Sequence, residues 1–388
     1  MNRFAEVRTW PLLAFALLVG LQAIVLTVTL GGYAVDGWLA WIGMASLVLT
    51  VLLAVAVVST LARTQARAKL AQRTMEEAID ALPGTGGTVF VPSGRYLIDP
   101  LRSVRLRSRT HLELAPDAEL LAKSNGAERA YVIYIHQVED AEVSGGRISG
   151  DRHRHLGSTG EWGHGIQVKA ASGVTIRDMD ISDCWGDGIC IGGEWTKGRE
   201  RRVLSEDVVI AGVRCSGNRR QGLSIGGSRN VRVHDSEFTD TAGTAPECGI
   251  DVEPDAPDST VGVHIENCLM KGNASNGIQI YKRAREVAVL DCLIELNGGY
   301  GILAIGASNG RIAGNRIRHN RLQGLGLRGG TRSYRVSENH FRNNNVRRVE
   351  LNRGSPEWAS LDGREGTRPH VDINDASDIS LATNFYAD

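Results

Sequence analysis

The run CGIDVEPD places Asp251 and Glu253 two positions apart. On a strand, side chains two apart project from the same face, with α-carbons roughly 6.5 to 7 Å from one another. Two carboxyls at that range can act as general acid and general base with a water between them, as in inverting glycosidases, whose carboxyls stand roughly 6.5 to 9.5 Å apart. The plainer reading is a pair of solvated charges that repel. Adjacent unpaired acids bring a strand no packing return, which favours chemistry. Asp187, in the run DCWGDGICIGG, is the third candidate acid or base, whereas Asp183 in the same run reads as a turn former.

Basic residues nearby suit a different reaction. Removing the proton α to a uronate carboxylate, as a lyase or an epimerase does, requires a cation to neutralise that carboxylate and a base such as Tyr, His or Lys. Arg219 and Arg220 precede Gln221, Lys282 and Arg283 follow Gln279 and Tyr281, and His164 lies upstream. The segment from Glu194 to Glu206 adds Trp195, Lys197, Arg199, Arg201 and Arg202, one aromatic and four bases that could grip an anionic sugar at a groove's edge. Candidate substrate-binding residues are therefore Arg219, Arg220, Gln221, Gln279, Tyr281, Lys282, Arg283, His164 and Trp195. Asp251, Glu253, Asp255 and Asp258 offer oxygens to Ca²⁺, but without a fixed ligand spacing the signal is weak, and no metal or other cofactor is expected. No phosphate-binding glycine loop, nucleophile elbow or paired metal motif occurs. The six cysteines, all between Cys184 and Cys292, lack zinc spacing and read as small core residues.

Such residues need a scaffold that brings distant segments side by side. The glycine of a Gly-apolar-X-apolar motif recurs at Gly165, Gly188, Gly222, Gly249, Gly277, Gly301 and Gly324, at intervals of 23, 34, 27, 28, 24 and 23 residues. That period belongs to an all-β solenoid of short strands, not to a sandwich or a doubly wound sheet. A second register agrees with it. Ile176, Ile210, Val233, Ile265, Val289, Ile312 and Val336 are each followed three positions later by Met179, Val213, Ser236, Cys268, Cys292, Asn315 and Asn339. Stacked at about 4.8 Å per rung, these form an inward ladder, which Leu381 and Asn384 close. Asp187 then lies two rungs from Asp251, roughly 10 Å along the axis. The X positions form an outward row running from Gln167 through Cys190, Ser224, Asp251 and Gln279 to Leu303 and Gly326. The residues before each glycine, His164, Asp187, Gln221, Cys248, Asn276, Tyr300 and Gln323, are expected as a second exposed row.

Composition bounds the rest. Of 388 residues, 46 are glycine and 5% aromatic, which leans toward many tight turns, while 42% hydrophobic content excludes a disordered chain. With 44 basic residues against 44 acidic, no nucleic-acid partner is expected from bulk charge. Thr9 to Val35 and Gly37 to Ala62 carry no charge, and each is long enough to cross a hydrocarbon core of about 30 Å. The expectation is a two-span transmembrane hairpin over residues 1–63, with the lipid bilayer as a partner. A linker and capping helix over 64–82, rich in Ala, Gln, Glu, Arg and Leu, follows it, and the coil occupies 83–388. Arg3 and Arg8 before the first span and Arg63, Arg67, Lys69 and Arg73 after the second put both ends in the cytoplasm of a multi-pass inner-membrane protein.

The runs GTGGTVFVPSGRYLI, PLRSVRLRSRTHLELAPDAELLA and GGRISGDR resemble the opening coils of the pectin-lyase-like right-handed parallel β-helix superfamily, especially polygalacturonase-type glycosidases and their relatives. The later runs GEWGHGIQV, DCWGDGICIGG, NRRQGLSIGG and CGIDVEPD resemble bacterial right-handed β-helix repeat proteins. The likeness spans Met75 to Asp388, and it implies a right-handed parallel β-helix whose open end is capped by the preceding helix. It also implies action on exported glycans, which would set the coil in the periplasm, against the charge rule. Polygalacturonases carry an adjacent pair of aspartates and an Arg-X-Lys. Here only Asp187 with Gly188 matches part of that pattern, so hydrolysis of polygalacturonate is not implied. The resulting expectation is a membrane-anchored, polysaccharide-active β-helix, its glycan neutral or anionic, that cleaves glycosidic bonds with Asp251, Glu253 and Asp187. The alternatives are a uronate lyase or C5 epimerase and a non-catalytic glycan-binding scaffold. The oligomeric state is left open.

Overall fold

The computed structural model describes residues 37–194, 203–345 and 370–387. The chain divides into two units, Met1–Leu70 and Ala71–Asp388. In the second, short strands pair only in parallel, each with a strand one turn of the chain away. Three strands make a rung, and three columns of partners run along the coil. One column aligns Ile166, Ile189, Leu223, Ile250, Ile278, Ile302, Leu325 and Val371. A second aligns Ile176, Ile210, Val233, Ile265, Val289, Ile312, Val336 and Leu381. The third is an 11-stranded sheet that includes Ile148, Ile181, Cys215, Phe238, Met270 and Ile294. The side chains of all three columns turn inward and, up to the last rung, form one continuous apolar core.

The repeating glycine has a steric cause. A β-carbon on Gly165, Gly188, Gly222 or Gly249 would stand 2.6 to 2.7 Å from the carbonyl oxygen of the motif glycine on the next rung. Only a residue without a side chain lets the backbones approach this closely. In the turn after the second column, an Asn ladder satisfies buried backbone donors. Asn315 accepts from the Cys292 N–H, Asn339 from that of Asn315, and Asn384 from that of Asn339. A parallel ladder at Asn273, Asn297, Asn320 and Asn344 does the same, three residues after each of Met270, Ile294, Ile317 and Phe341. Its spacing was present in the sequence but not picked out there.

The helix Gly37–Ala81 ends before Pro83. Met75 and Ile79 in its last turns are buried against the first rung. Gln72 donates to the Ser103 carbonyl and accepts from the Asp99 N–H, and Arg107 bonds the carbonyls of Ile79, Asp80 and Leu82. Both the exposed end of the coil and the orphan carbonyls of the helix end are thereby satisfied.

The membrane expectation is corrected. Among the described residues no helix is long and apolar enough to cross a membrane. This overturns the two transmembrane helices of the fold class and the multi-pass inner-membrane placement built on them. An uncharged window had been counted as an element of its own. Gly37 to Ala62 instead continues without a break into the Arg-, Gln- and Glu-rich stretch as a single helix of 45 residues. The other expected span, Thr9 to Val35, lies outside the described residues.

Candidate functional site

Ser224, one rung before Asp251, is small, and where the row passes it the coil's surface sinks into a cleft of about 320 Å³. Register sets what meets there. Gln167, Cys190, Ser224, Asp251 and Gln279 are directly paired in successive rungs. Asp187, Asp251 and Glu253 all line the cleft, as do His164 and Arg220.

Asp251 is only 2% exposed. Its carboxylate accepts from Gln221 Nε2 at 2.8 Å and Gln279 Nε2 at 3.2 Å. Burial holds its pKa well above the usual carboxylate range. The charge of Glu253 and a hydrogen bond shared with Glu253 raise it further, against the pull of Arg220 and Gln279.

Asp187 is fully buried beside them. Arg220 Nη1 donates to both of its oxygens at 3.3 Å, Ser224 Oγ donates at 2.8 Å, and Arg220 Nε reaches Glu161 at 3.0 Å. The Asp187 N–H donates to His164 Nδ1 at 3.0 Å. With Nδ1 accepting, the neutral ring carries its proton on Nε2, which is buried and has no partner in the protein. Burial pushes His164 down to about 4, so the ring is neutral at neutral pH.

The row before each glycine is not exposed as expected. His164, Asp187, Gln221, Cys248, Asn276 and Tyr300 are all buried. Their side chains cap the next rung's backbone, Gln221 accepting from the Cys248 N–H and Asn276 from that of Tyr300. The turn is too tight to leave those amides to water.

The remaining sequence candidates fall in three places. Gln221 and Gln279 support Asp251 from behind and from the side. Arg219 lies over the Trp185 ring at 3.7 Å and bonds the carbonyls of Gly160 and Trp185, away from the cleft lining. Tyr281, Lys282 and Arg283 are also off the lining; Lys282 sits over the Tyr281 ring, and Arg283 ties down the carbonyls of Pro254 and Asp258. Trp195, with Lys197, Arg199, Arg201 and Arg202, lies outside the described residues. Residues not singled out from sequence also line the cleft, among them Glu161, Trp162 and Arg129. Glu161 precedes its strand and meets Arg220 across 59 residues, a pairing with no local signal.

His164, Asp187 and Cys190 offer ligand atoms within 4.8 Å of one another. As arranged they do not suit a metal. The ring proton sits on the free nitrogen of His164, a guanidinium already occupies the Asp187 carboxylate, and burial pushes the Cys190 thiol up to about 12.

Among curated proteins, the uncharacterized protein YclG of Bacillus subtilis (strain 168) is 32% identical over 216 residues, covering 49% of this chain and 37% of that protein. The SPbeta prophage-derived uncharacterized protein YorA of the same organism is 28% identical over 238 residues, covering 56% and 37%. The chain thus spans well under half the length of these relatives. Among solved structures, ORF18 of Geobacillus virus E2 aligns with a TM-score of 0.59 at 13% identity, over 81% of this chain and 57% of that one. PfbA, a surface adhesin of Streptococcus pneumoniae, aligns at 0.56 with 16% identity, over 81% and 86%. The A-module of the Azotobacter vinelandii mannuronan C-5 epimerase AlgE4 aligns at 0.50 with 14% identity, over 81% and 92%. These likenesses concern the fold. The family model described as right handed beta helix region matches residues 121–261 and 248–363. Parallel rungs, a glycine at each close approach and a match over most of the coil agree, and the chain belongs to the right-handed β-helix family.

Proposed function

We propose that this protein acts on a glycan and hydrolyses a glycosidic bond in the cleft, with Asp251 as the acid and Glu253 as the nucleophile. The observation that carries the reading is the Asp251 carboxyl, buried in the cleft, favoured in its protonated form and set beside a second carboxyl. The Glu253 charge acts directly on Asp251, which supports the close pair of a retaining enzyme, about 5 to 5.5 Å, over the separated pair of an inverting one. Likeness in fold to an epimerase module named for mannuronan supports a glycan-facing role at that level only.

In the first step a Glu253 oxygen bonds the anomeric carbon while the bond to the leaving oxygen breaks, and that oxygen takes the Asp251 proton. In the second, the Asp251 carboxylate removes a proton from water, the water oxygen bonds the anomeric carbon, and Glu253 departs as a carboxylate. Asp251 ends protonated and Glu253 ionised, as they began. Gln221 and Gln279 hold the Asp251 carboxyl in place through both steps, and Arg220 pairs with Asp187 and Glu161 nearby.

The test is to incubate the full chain with a panel of neutral and uronate-containing polysaccharides. New reducing ends should appear with wild type and vanish with Glu253→Gln, and proton NMR should show the first product with retained anomeric configuration. An inverted first product would overturn Glu253 as nucleophile. Binding without cleavage on every substrate would leave a glycan-binding module in place of an enzyme.

A further inference from the structure

We infer that the sugar ring seated on the cleft floor carries no carboxylate: it is a neutral or amino sugar, not a uronate. This rests on the cleft being a glycan site. Among the described residues, six carboxyl side chains line the cleft against three cationic ones. The cations are largely committed. Arg220, the one at the floor, divides its Nε and Nη1 among Glu161, Asp187 and Ser224. The Lys169 ammonium stands 3.1 Å from Glu194, and Arg129 lies over the Trp162 ring at 4.7 Å. Glu253 and Asp255, by contrast, have no cationic partner among the described residues.

A uronate reaching the floor would face Glu253 directly and compete for a guanidinium that two carboxylates already hold. Concave walls of one sign focus their field, so the repulsion grows as the ring descends. The same shortage bears on chemistry. Removing the proton α to a carboxylate needs a free cation against that carboxylate, and among the described residues the floor offers none.

A second observation marks the cleft as built for a ligand. His164 is 2% exposed, lines the wall, and carries on Nε2 a proton with no acceptor in the protein. An unmatched buried donor is unfavourable until a ligand oxygen meets it. A ring hydroxyl does so, and the neutral imidazole adds no positive charge to hold an anion.

The experiment uses polygalacturonate, alginate and hyaluronate, each native and after chemical reduction of its carboxyls to alcohols, so that each pair differs only in charge. Binding to the full chain is measured by calorimetry at low and high salt, with reducing ends and unsaturated-uronate absorbance followed in parallel. At least one reduced polymer should bind about tenfold or more tightly than its native form. That gap should narrow in salt and in Glu253→Gln, which removes one floor charge without changing the shape. Native forms binding as well or better, or any unsaturated uronate, would overturn the inference. Cleavage of a native polymer by hydrolysis would overturn it while leaving the hydrolytic reading standing, and no binding by any form, native or reduced, would overturn both.

Discussion

Asp251 and Asp372 occupy the same outward row of the coil, linked in register through Gln279, Leu303 and Gly326. Both are nearly inaccessible, at 2% and 3% exposure. Their surroundings differ. Asp372 accepts from Arg328 Nε at 2.7 Å and from the Tyr300 hydroxyl at 3.2 Å, and Tyr300 and Leu303 fold over Gly326 to fill the face. Asp251 receives two neutral amides and a neighbouring acid, and the face beside it is open. One backbone position thus carries a paired structural acid at one end and a poised acid at the other. The difference lies in which side chains the adjacent rungs supply. Asp372 is given a cation as partner, whereas Asp251, buried with amides and a second carboxyl, favours its proton.

That contrast can be broken by exchanging the consequences of mutation. Asp251→Asn or Glu253→Gln should lower kcat by about 10² to 10⁴, while Asp372→Asn leaves kcat near wild type, as read by reducing-end release on whichever polymer is cleaved. Equal losses at both positions would end the distinction. The cleft end should also be the pH-sensitive end. The folded pKa of His164 lies below its unfolded value of about 6.5, so its contribution is present above that value and is lost as pH falls through about 4. Denaturant melts across that window should show up to about 3 kcal/mol lost in wild type and a flatter profile in His164→Gln. For Asp251 the sign is opposite. Its folded pKa is raised, so stability is fully present below the unfolded value and declines as pH rises through the folded one; Asp251→Asn should remove that decline. Asp372→Asn should cost about 1 to 3 kcal/mol in the same melts, by removing the negative charge from the acceptor that Arg328 and Tyr300 share. The smallest effect sharpens the comparison. Gln279→Leu removes a bond that favours the ionised Asp251 and should move the alkaline limb of activity to higher pH by less than about one unit, leaving Asp372 untouched.

The coil was legible because its demands recur. A glycine wherever two backbones touch, an apolar residue on each side of one X, and an inward Met, Val, Ser, Cys or Asn three positions after each inward Ile or Val are local rules that repeat at a readable period. The outward row followed from strand alternation, which sets Asp251 and Glu253 on one face, whereas Asp187 belongs to the row before each glycine. Other features have no period. The Arg220 to Glu161 pair joins a turn to a strand start 59 residues away. Burial of His164 and Asp187 depends on how tightly the turn before each glycine closes, and a count of residues between glycines does not report that. The membrane expectation failed for a related reason: a window without charge describes a stretch of chain, while the element that forms there runs on into a charged one.

The sequence by itself determined the all-β coil, its rung length, which residues face inward, and that several acids share one side. These follow from alternation and repetition, which act between near neighbours in the chain. Tertiary structure alone decided which of those acids touch, which cation each one finds, and where the surface opens into a cleft. Those outcomes depend on side chains supplied by rungs 23 to 34 residues apart, and on the water that their packing excludes.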